Sequence, residues 1–295
     1  MNIGLITDST CDLSSEIIDK FNIEIVPLNL HLNDKTYHDG IDIASEEFFE
    51  KLENVNSFNK FPTTSQPAMG IFIEKYKKMT HKYDSLISIH LANALSGTYE
   101  AASLASNQIE DTEIEVIDSK STSLGLGFQV LLAAKIIENG NNVEKIKQTL
   151  KQAQKNLNVF FTVYDLDFLK KGGRISRTKA FLGSILNLNP ILKLDNETGE
   201  IYPYDKVRGS SRTIKKIVKL ALEGVKPDDV VWLGLPTGKI DKNHQKYKQT
   251  AKQALKDKGI NDFITLSTKL SPVLGAHAGP YLYGLIVLKG EFLKI

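Results

Sequence analysis

From residue 3 to residue 156 the chain alternates short apolar, β-branched runs with segments of helical period, and this alternation limits its fold more than any other feature. The strand-like runs are residues 3–7, 23–30, 85–90 and 113–117; the helical ones are 14–21, 45–52, 67–83, 98–108, 124–139 and 143–156. Strands separated by helices cannot close as hairpins, so the order predicts a mostly parallel sheet covered by helices. The punctuation agrees with the periods. Gly140 is placed to end one helix in the left-handed conformation, Asn142 can cap the next, and Glu46 and Glu47 suit a helix N-terminus.

The rhythm changes near residue 159. A strand leads into Lys170-Lys-Gly-Gly-Arg174, and a hairpin follows between residues 191–194 and 201–207 around Asn196-Glu-Thr-Gly199. A basic helix (211–222), a strand (230–235), a long helix (241–257) and strands at 263–266 and 283–288 complete the chain. We therefore expect an α/β protein of two domains, an N-terminal α/β domain over residues 1–159 with a mostly parallel sheet and a mixed α/β domain over 160–295. A length of 295 residues fits two domains sharing a cleft.

Composition removes several function classes. A formal net charge of +2 is too small for a nucleic-acid footprint, and the lysine-rich runs 145–155 and 239–258 have the period of solvated helix faces. The single cysteine, Cys11, cannot form an internal disulfide, and no Cys/His pair has zinc-ligand spacing, which favours a reducing compartment, the cytoplasm. Residues 2–7 enter directly as a strand, without the basic and apolar regions of a secretory signal. The longest apolar stretch, 124–137, is too short to span a bilayer and is broken by Gln129 and Lys135, so any membrane contact is peripheral and transient.

Three segments put hydroxyls, glycine or histidine where a strand is expected to give way to a helix, a place where unpaired N–H groups bind anions. They are Phe61-Pro-Thr-Thr-Ser-Gln-Pro67, Leu95-Ser-Gly-Thr-Tyr99 and Leu274-Gly-Ala-His-Ala-Gly-Pro280. Self-sufficient catalytic signatures fail. Gly234-Leu-Pro-Thr-Gly-Lys239 is one residue short of a P-loop and continues with Ile240 where a hydroxyl should meet magnesium. Gly125-Leu-Gly127 lacks the third glycine of a dinucleotide site, and Asp8 and Asp12 are four apart where aspartyl-phosphate enzymes place their carboxylates two apart. No G-x-S-x-G elbow occurs.

Taken in order, Thr7-Asp-Ser-Thr-Cys-Asp-Leu13, Pro62-Thr-Thr-Ser-Gln-Pro67, Leu95-Ser-Gly-Thr-Tyr99, Asp118-Ser119, Gly172-Gly-Arg-Ile-Ser176 and Ala276-His-Ala-Gly279 resemble the DegV family. The resemblance implies a two-domain α/β fold with a long-chain fatty acid between the domains and no cofactor. It is similar in particular to the binding subunits of bacterial fatty-acid kinase, which act in phospholipid metabolism by holding the acyl chain in a tunnel while a separate ATP-dependent kinase phosphorylates its carboxylate. On that basis the chain is not itself an enzyme. Thr64, Ser96 and His277 would bind the carboxylate, Thr63, Ser65 and Gly97 would support them, and Arg174 and Arg208 would contact phosphate or the partner. Two segments depart from the family pattern, Leu91-Ala-Asn-Ala94 and Gly279-Pro-Tyr-Leu-Tyr-Gly284. Two alternatives stay open: an autonomous small-molecule phosphotransferase using Asp8, suggested by fold similarity to hydroxyketone kinases, and a lipid sensor without a kinase.

Overall fold

A computed structural model describes residues 2–53, 61–110, 112–174 and 188–294. Strands β1 (Ile3–Asp8), β2 (Glu24–Val26), β6 (Ser85–His90) and β7 (Glu113–Asp118) form a parallel sheet in the order β2-β1-β6-β7. The inner strands β1 and β6 are buried along their whole length, their polar residues Thr7, Asp8, Ser85, Ser88 and His90 included. One face carries Ile6, Val26 and Leu86 against Phe72 and Tyr76 of helix α3 (Met69–Thr80) and the alanines of α4 (Thr98–Ser106). The opposite face carries Leu5, Ile87 and Ile89 into a larger core.

Six strands form a mixed second sheet in the order β10-β9-β8-β13-β11-β12: β8 (Leu157–Val163), β9 (Asn189–Leu194), β10 (Ile201–Val207), β11 (Val231–Thr237), β12 (Phe263–Lys269) and β13 (Leu282–Lys289). β11 and β12 are parallel and the other pairs antiparallel. Its outer face is covered by α8 (Ser210–Ala221) and α9 (Lys242–Asp257), whose buried residues Ile214, Ile217, Val218 and Ala221, and Tyr247, Ala251 and Leu255, recur every three or four positions.

Helix α5 (Leu124–Glu138) lies between the two sheets and touches both, so it is apolar nearly all round and its buried residues run from Leu124 to Ala134 without a break. Phe128 meets Trp232 of β11 edge-on with ring centroids 5.7 Å apart. Each such fully buried large side chain contributes roughly 1.5–3 kcal/mol. One core cluster therefore joins both halves of the chain, from Ile3 to Leu293. Helix α6 (Val143–Lys155) begins at its expected cap, the Asn142 side chain accepting from Lys145 N, and Gly140 has a φ of 74°. No helix among the described residues is long and apolar enough to cross a membrane.

Several expectations need correction. The strand expected over 23–30 is two strands in different sheets: Pro27 has no N–H for the ladder, and beyond it β3 (Asn29–Leu32) leaves the parallel sheet to join β4 (Lys35–His38) and β5 (Thr63–Ser65) in a small antiparallel one. The segment expected to lead into a helix at Pro67 is strand β5 itself, and the helix after it is capped by Ala68 without a side-chain bond. Two short helices went unpredicted, α7 (Asp167–Gly172) and α10 (Pro272–Ala278), each under two turns and stable only through packing. The expected boundary after residue 159 falls inside β8; we place the division of the two sheet-bearing halves just before Leu157. Ile175 and Ser176 of the Gly172-Gly-Arg-Ile-Ser176 motif lie outside the described residues.

Candidate functional site

A cavity of about 940 Å³, its mouth included, opens between the inner face of the second sheet and elements of the first half. Alternation along β13 builds one wall: Leu282, Gly284 and Ile286 face the cavity while Tyr283, Leu285 and Val287 join the outer core. Opposite Gly284 stands Pro236, and here the ladder passes from Gly234↔Ile286 to Thr237↔Tyr283. A Cβ on Gly284 would come within 2.8 Å of the proline ring, so the pair forms a low, apolar patch in the wall. Leu28, Leu91, Leu95 and Leu274 close the cavity from the other side.

The polar lining includes Thr64, Ser65, Gln66, Ser96, Arg174 and His277. Thr64 points inward from β5, and its Oγ1 meets His277 Nε2 at 2.7 Å across 213 residues of sequence. His277 sits in the last turn of α10 and not at a helix N-terminus, contrary to the sequence expectation. Burial holds its imidazole down at about 4, with the nearby Arg174 guanidinium adding to the effect and the Gly172 backbone partly opposing it. The ring is therefore neutral at pH 7. Its Nδ1 faces Gly172 without reaching hydrogen-bond geometry, and a Cβ on that glycine would lie 2.3 Å from the nitrogen. With its proton on Nε2 the ring donates to Thr64 Oγ1, leaving the threonine O–H free to donate to an anion.

Ser96 lies on the same cavity wall, its hydroxyl 2.9 Å from that of Thr98, while α4 is capped by Gly97 without a side-chain bond. A Cβ at Gly97 would meet Gln66 Oε1 at 2.2 Å, so the end of that side chain would have to shift. Ser65 has its hydroxyl tied to His31 at 3.0 Å and Asn29 at 3.3 Å, and Thr63, alternating outward on β5, is exposed and off the cavity wall. Arg174 is exposed beside the cavity, donating from Nη1 to Gly172 O at 2.7 Å. Arg208 is exposed and lies outside the cavity lining. In the departing segment, Ala92, Asn93 and Ala94 stay off the lining: Ala92 N donates to Ser121 O at 2.8 Å and Asn93 Nδ2 to Glu100 at 3.3 Å.

Sequence reasoning missed Gln66, Thr122 and Ser123 as lining residues. It also left Asp12 and Asp39 without a role. Both are buried, and burial raises the Asp12 carboxyl to about 8 and that of Asp39 to about 6. Asp8 is fully buried and fully engaged: it accepts from Thr10 Oγ1 at 2.6 Å and Leu91 N at 2.9 Å and lies 3.1 Å from His90 Nδ1. It does not line the cavity. No group of three or more His, Cys, Asp or Glu with metal-holding geometry occurs among the described residues.

A family model described as "Uncharacterised protein, DegV family" matches residues 2–290. A DegV domain-containing protein of Staphylococcus aureus (strain COL) is 35% identical over 286 residues, covering 97% of this chain and 98% of that protein. Protein DegV of Bacillus subtilis (strain 168) is 36% identical over 221 residues, 75% of this chain and 77% of that one. Among solved structures, the fatty-acid-binding DegV family protein from Thermus thermophilus superposes with a TM-score of 0.88 at 31% identity, covering 98% of this chain and 100% of that one. DegV of Bacillus subtilis, described as a fatty acid binding protein, gives 0.85 at 29% identity with the same coverage. By sequence over nearly its whole length, and by fold, the chain belongs to the DegV family.

Proposed function

We propose that the chain binds one long-chain fatty acid in the cavity and presents its carboxylate to a separate ATP-dependent fatty-acid kinase for acyl-phosphate formation. The observation that carries this reading is a largely apolar cavity with the Thr64–His277 pair on its wall, 2.7 Å apart, and Ser96 also on its lining. The description of the Thermus thermophilus relative as fatty-acid-binding supports the same ligand.

Burying a long acyl chain at roughly 0.8 kcal/mol per methylene is worth on the order of 10 kcal/mol against water, but a bilayer offers nearly the same gain. The head group must decide the competition, through hydrogen bonds of roughly 0.5–3 kcal/mol each. The hydroxyls of Thr64 and Ser96 supply donors, the neutral imidazole orienting that of Thr64, without burying a second charge. The chain carries no nucleotide motif, so ATP and magnesium come with the partner. Arg174 and Arg208, both exposed, are suited to the phosphate or to that partner. Such a role belongs in the cytoplasm, with transient contact at the membrane surface and a product destined for phospholipid metabolism.

Titration of delipidated protein with hexadecanoate tests the binding step. Wild type takes up one equivalent, and Thr64→Ala, Ser96→Ala and His277→Ala each weaken it by roughly 1–3 kcal/mol with the fold retained. Wild-type affinity in all three variants would refute the head-group assignment. Co-purification from the native host tests the partner: recovery of the protein without any ATP-dependent kinase would favour the lipid sensor.

A further inference from the structure

The helix that carries His277 belongs by sequence to the second half of the chain, yet besides α7 of that half it packs against α2 (Ser45–Glu53), β3 and β5 of the first. Its start is fixed by two buried carboxylates from the first half. Asp12 Oδ1 accepts from Ser271 N at 2.9 Å, and Asp39 Oδ1 accepts from Val273 N at 3.0 Å. Each carboxylate is held at its other oxygen. Asp12 Oδ2 accepts from Ser123 Oγ, and Asp39 Oδ2 accepts from Ser9 Oγ at 2.7 Å, the same serine oxygen accepting from Leu28 N at 3.1 Å. The arrangement is strained where it is anchored: Asp12 has a φ of 52° and Ser123 also a φ of 52°, in the half of conformational space that side chains avoid. Ser123, Leu28 and Val273 all line the cavity.

We propose that Asp12 and Asp39 are positioning residues for the head-group site, fixing the first turn of α10 to the first half so that its last turn delivers His277 to Thr64. This rests on the reading of that site as a carboxylate site. A helix of seven residues from Pro272 to Ala278 is too short to hold its own place, so the amides at its start set where its end falls. Asparagine at either position keeps the oxygen acceptor and can donate from Nδ2 to the serine oxygen, and it tolerates the left-handed backbone of position 12. Alanine removes the acceptor and leaves the amide without a partner.

The test compares hexadecanoate with hexadecan-1-ol on delipidated protein, because the two share the acyl contacts and differ at the head group. Asp12→Ala and Asp39→Ala should each lower hexadecanoate affinity by ten-fold or more and change the alcohol by less than three-fold. Asp12→Asn and Asp39→Asn should keep the wild-type ratio of the two affinities, and the His277 ring resonances should move in the alanine variants only. If an alanine variant does not fold, Asp12→Glu and Asp39→Glu, which shift the acceptor by one methylene, should show the same selective loss. A folded alanine or glutamate variant with the wild-type acid-to-alcohol ratio, or with both ligands weakened equally, overturns the proposal. Failure of wild type to bind hexadecanoate at all would instead refute the fatty-acid reading itself.

Discussion

Gly172→Ala tests whether the place of His277 is set by the short helix α7 pressed against it. An unhindered glycine in a helix gains roughly 0.5–1 kcal/mol on conversion to alanine. At Gly172 the new Cβ would lie 2.3 Å from His277 Nδ1 and 3.2 Å from its Cγ, far inside ordinary contact, so the ring must move by about 1 Å. Its opposite nitrogen then loses the 2.7 Å contact with Thr64. If the pair contributes one hydrogen bond to a bound carboxylate, worth about 1.5–3 kcal/mol, hexadecanoate affinity falls roughly 10- to 150-fold. Gly70→Ala is the control, since nothing lies within 4 Å of a Cβ there. It should raise the melting temperature and leave binding alone. Calorimetric titration and thermal unfolding of the two delipidated variants read both effects. A Gly172→Ala protein that binds within three-fold of wild type and melts higher, as Gly70→Ala should, would refute the reasoning.

Three further outcomes follow from the same geometry. His277 is held down at about 4, first by burial and then by Arg174, so its stability contribution is complete above pH 6.5 and is lost as pH falls toward 4; Arg174→Ala should raise its pKa, measured by NMR titration of the ring, and an unchanged titration would contradict the electrostatic account. Asp12 is shifted the other way, from 3.8 to about 8, so the folded state favours its protonated form and stability declines as pH rises between those values; Asp12→Asn should therefore melt increasingly above wild type from pH 5 to pH 8.5, and a constant difference would refute this. Arg174→Ala and Arg208→Ala should lower partner-dependent acyl-phosphate formation, Arg208→Ala, which is off the cavity lining, while leaving hexadecanoate affinity within three-fold, and lysine at either position should restore little, because its point charge cannot reproduce a bidentate fork; wild-type turnover in both alanine variants would make them surface arginines.

The long periodic elements were legible in the sequence because burial dictates them locally. β1 and β6 announce themselves by short runs rich in leucine and isoleucine, α8 and α9 by their three-to-four spacing, and the 191–207 hairpin by Gly199, whose φ is 75°. What escaped was decided by tertiary contact. β5 is three polar residues whose strand character comes only from pairing with β3, and α10 is a seven-residue helix held by residues far away in sequence. For the same reason Thr64, Ser96 and His277 could be named from motifs, but not the Gly172 surface behind the imidazole or the Asp12 and Asp39 contacts beneath its helix. Asp12 stood in view inside Thr7-Asp-Ser-Thr-Cys-Asp-Leu13, yet nothing local connects it to Ser271, 259 residues away.

The central claim, that the cavity is a fatty-acid site, is tested most directly by native mass spectrometry of the protein purified without detergent. The account predicts a mass above that of the chain by one long-chain fatty acid per molecule, lost on extraction with organic solvent and restored by one equivalent of hexadecanoate. A spectrum showing only the bare chain, from protein that also takes up no fatty acid when it is supplied, would contradict it.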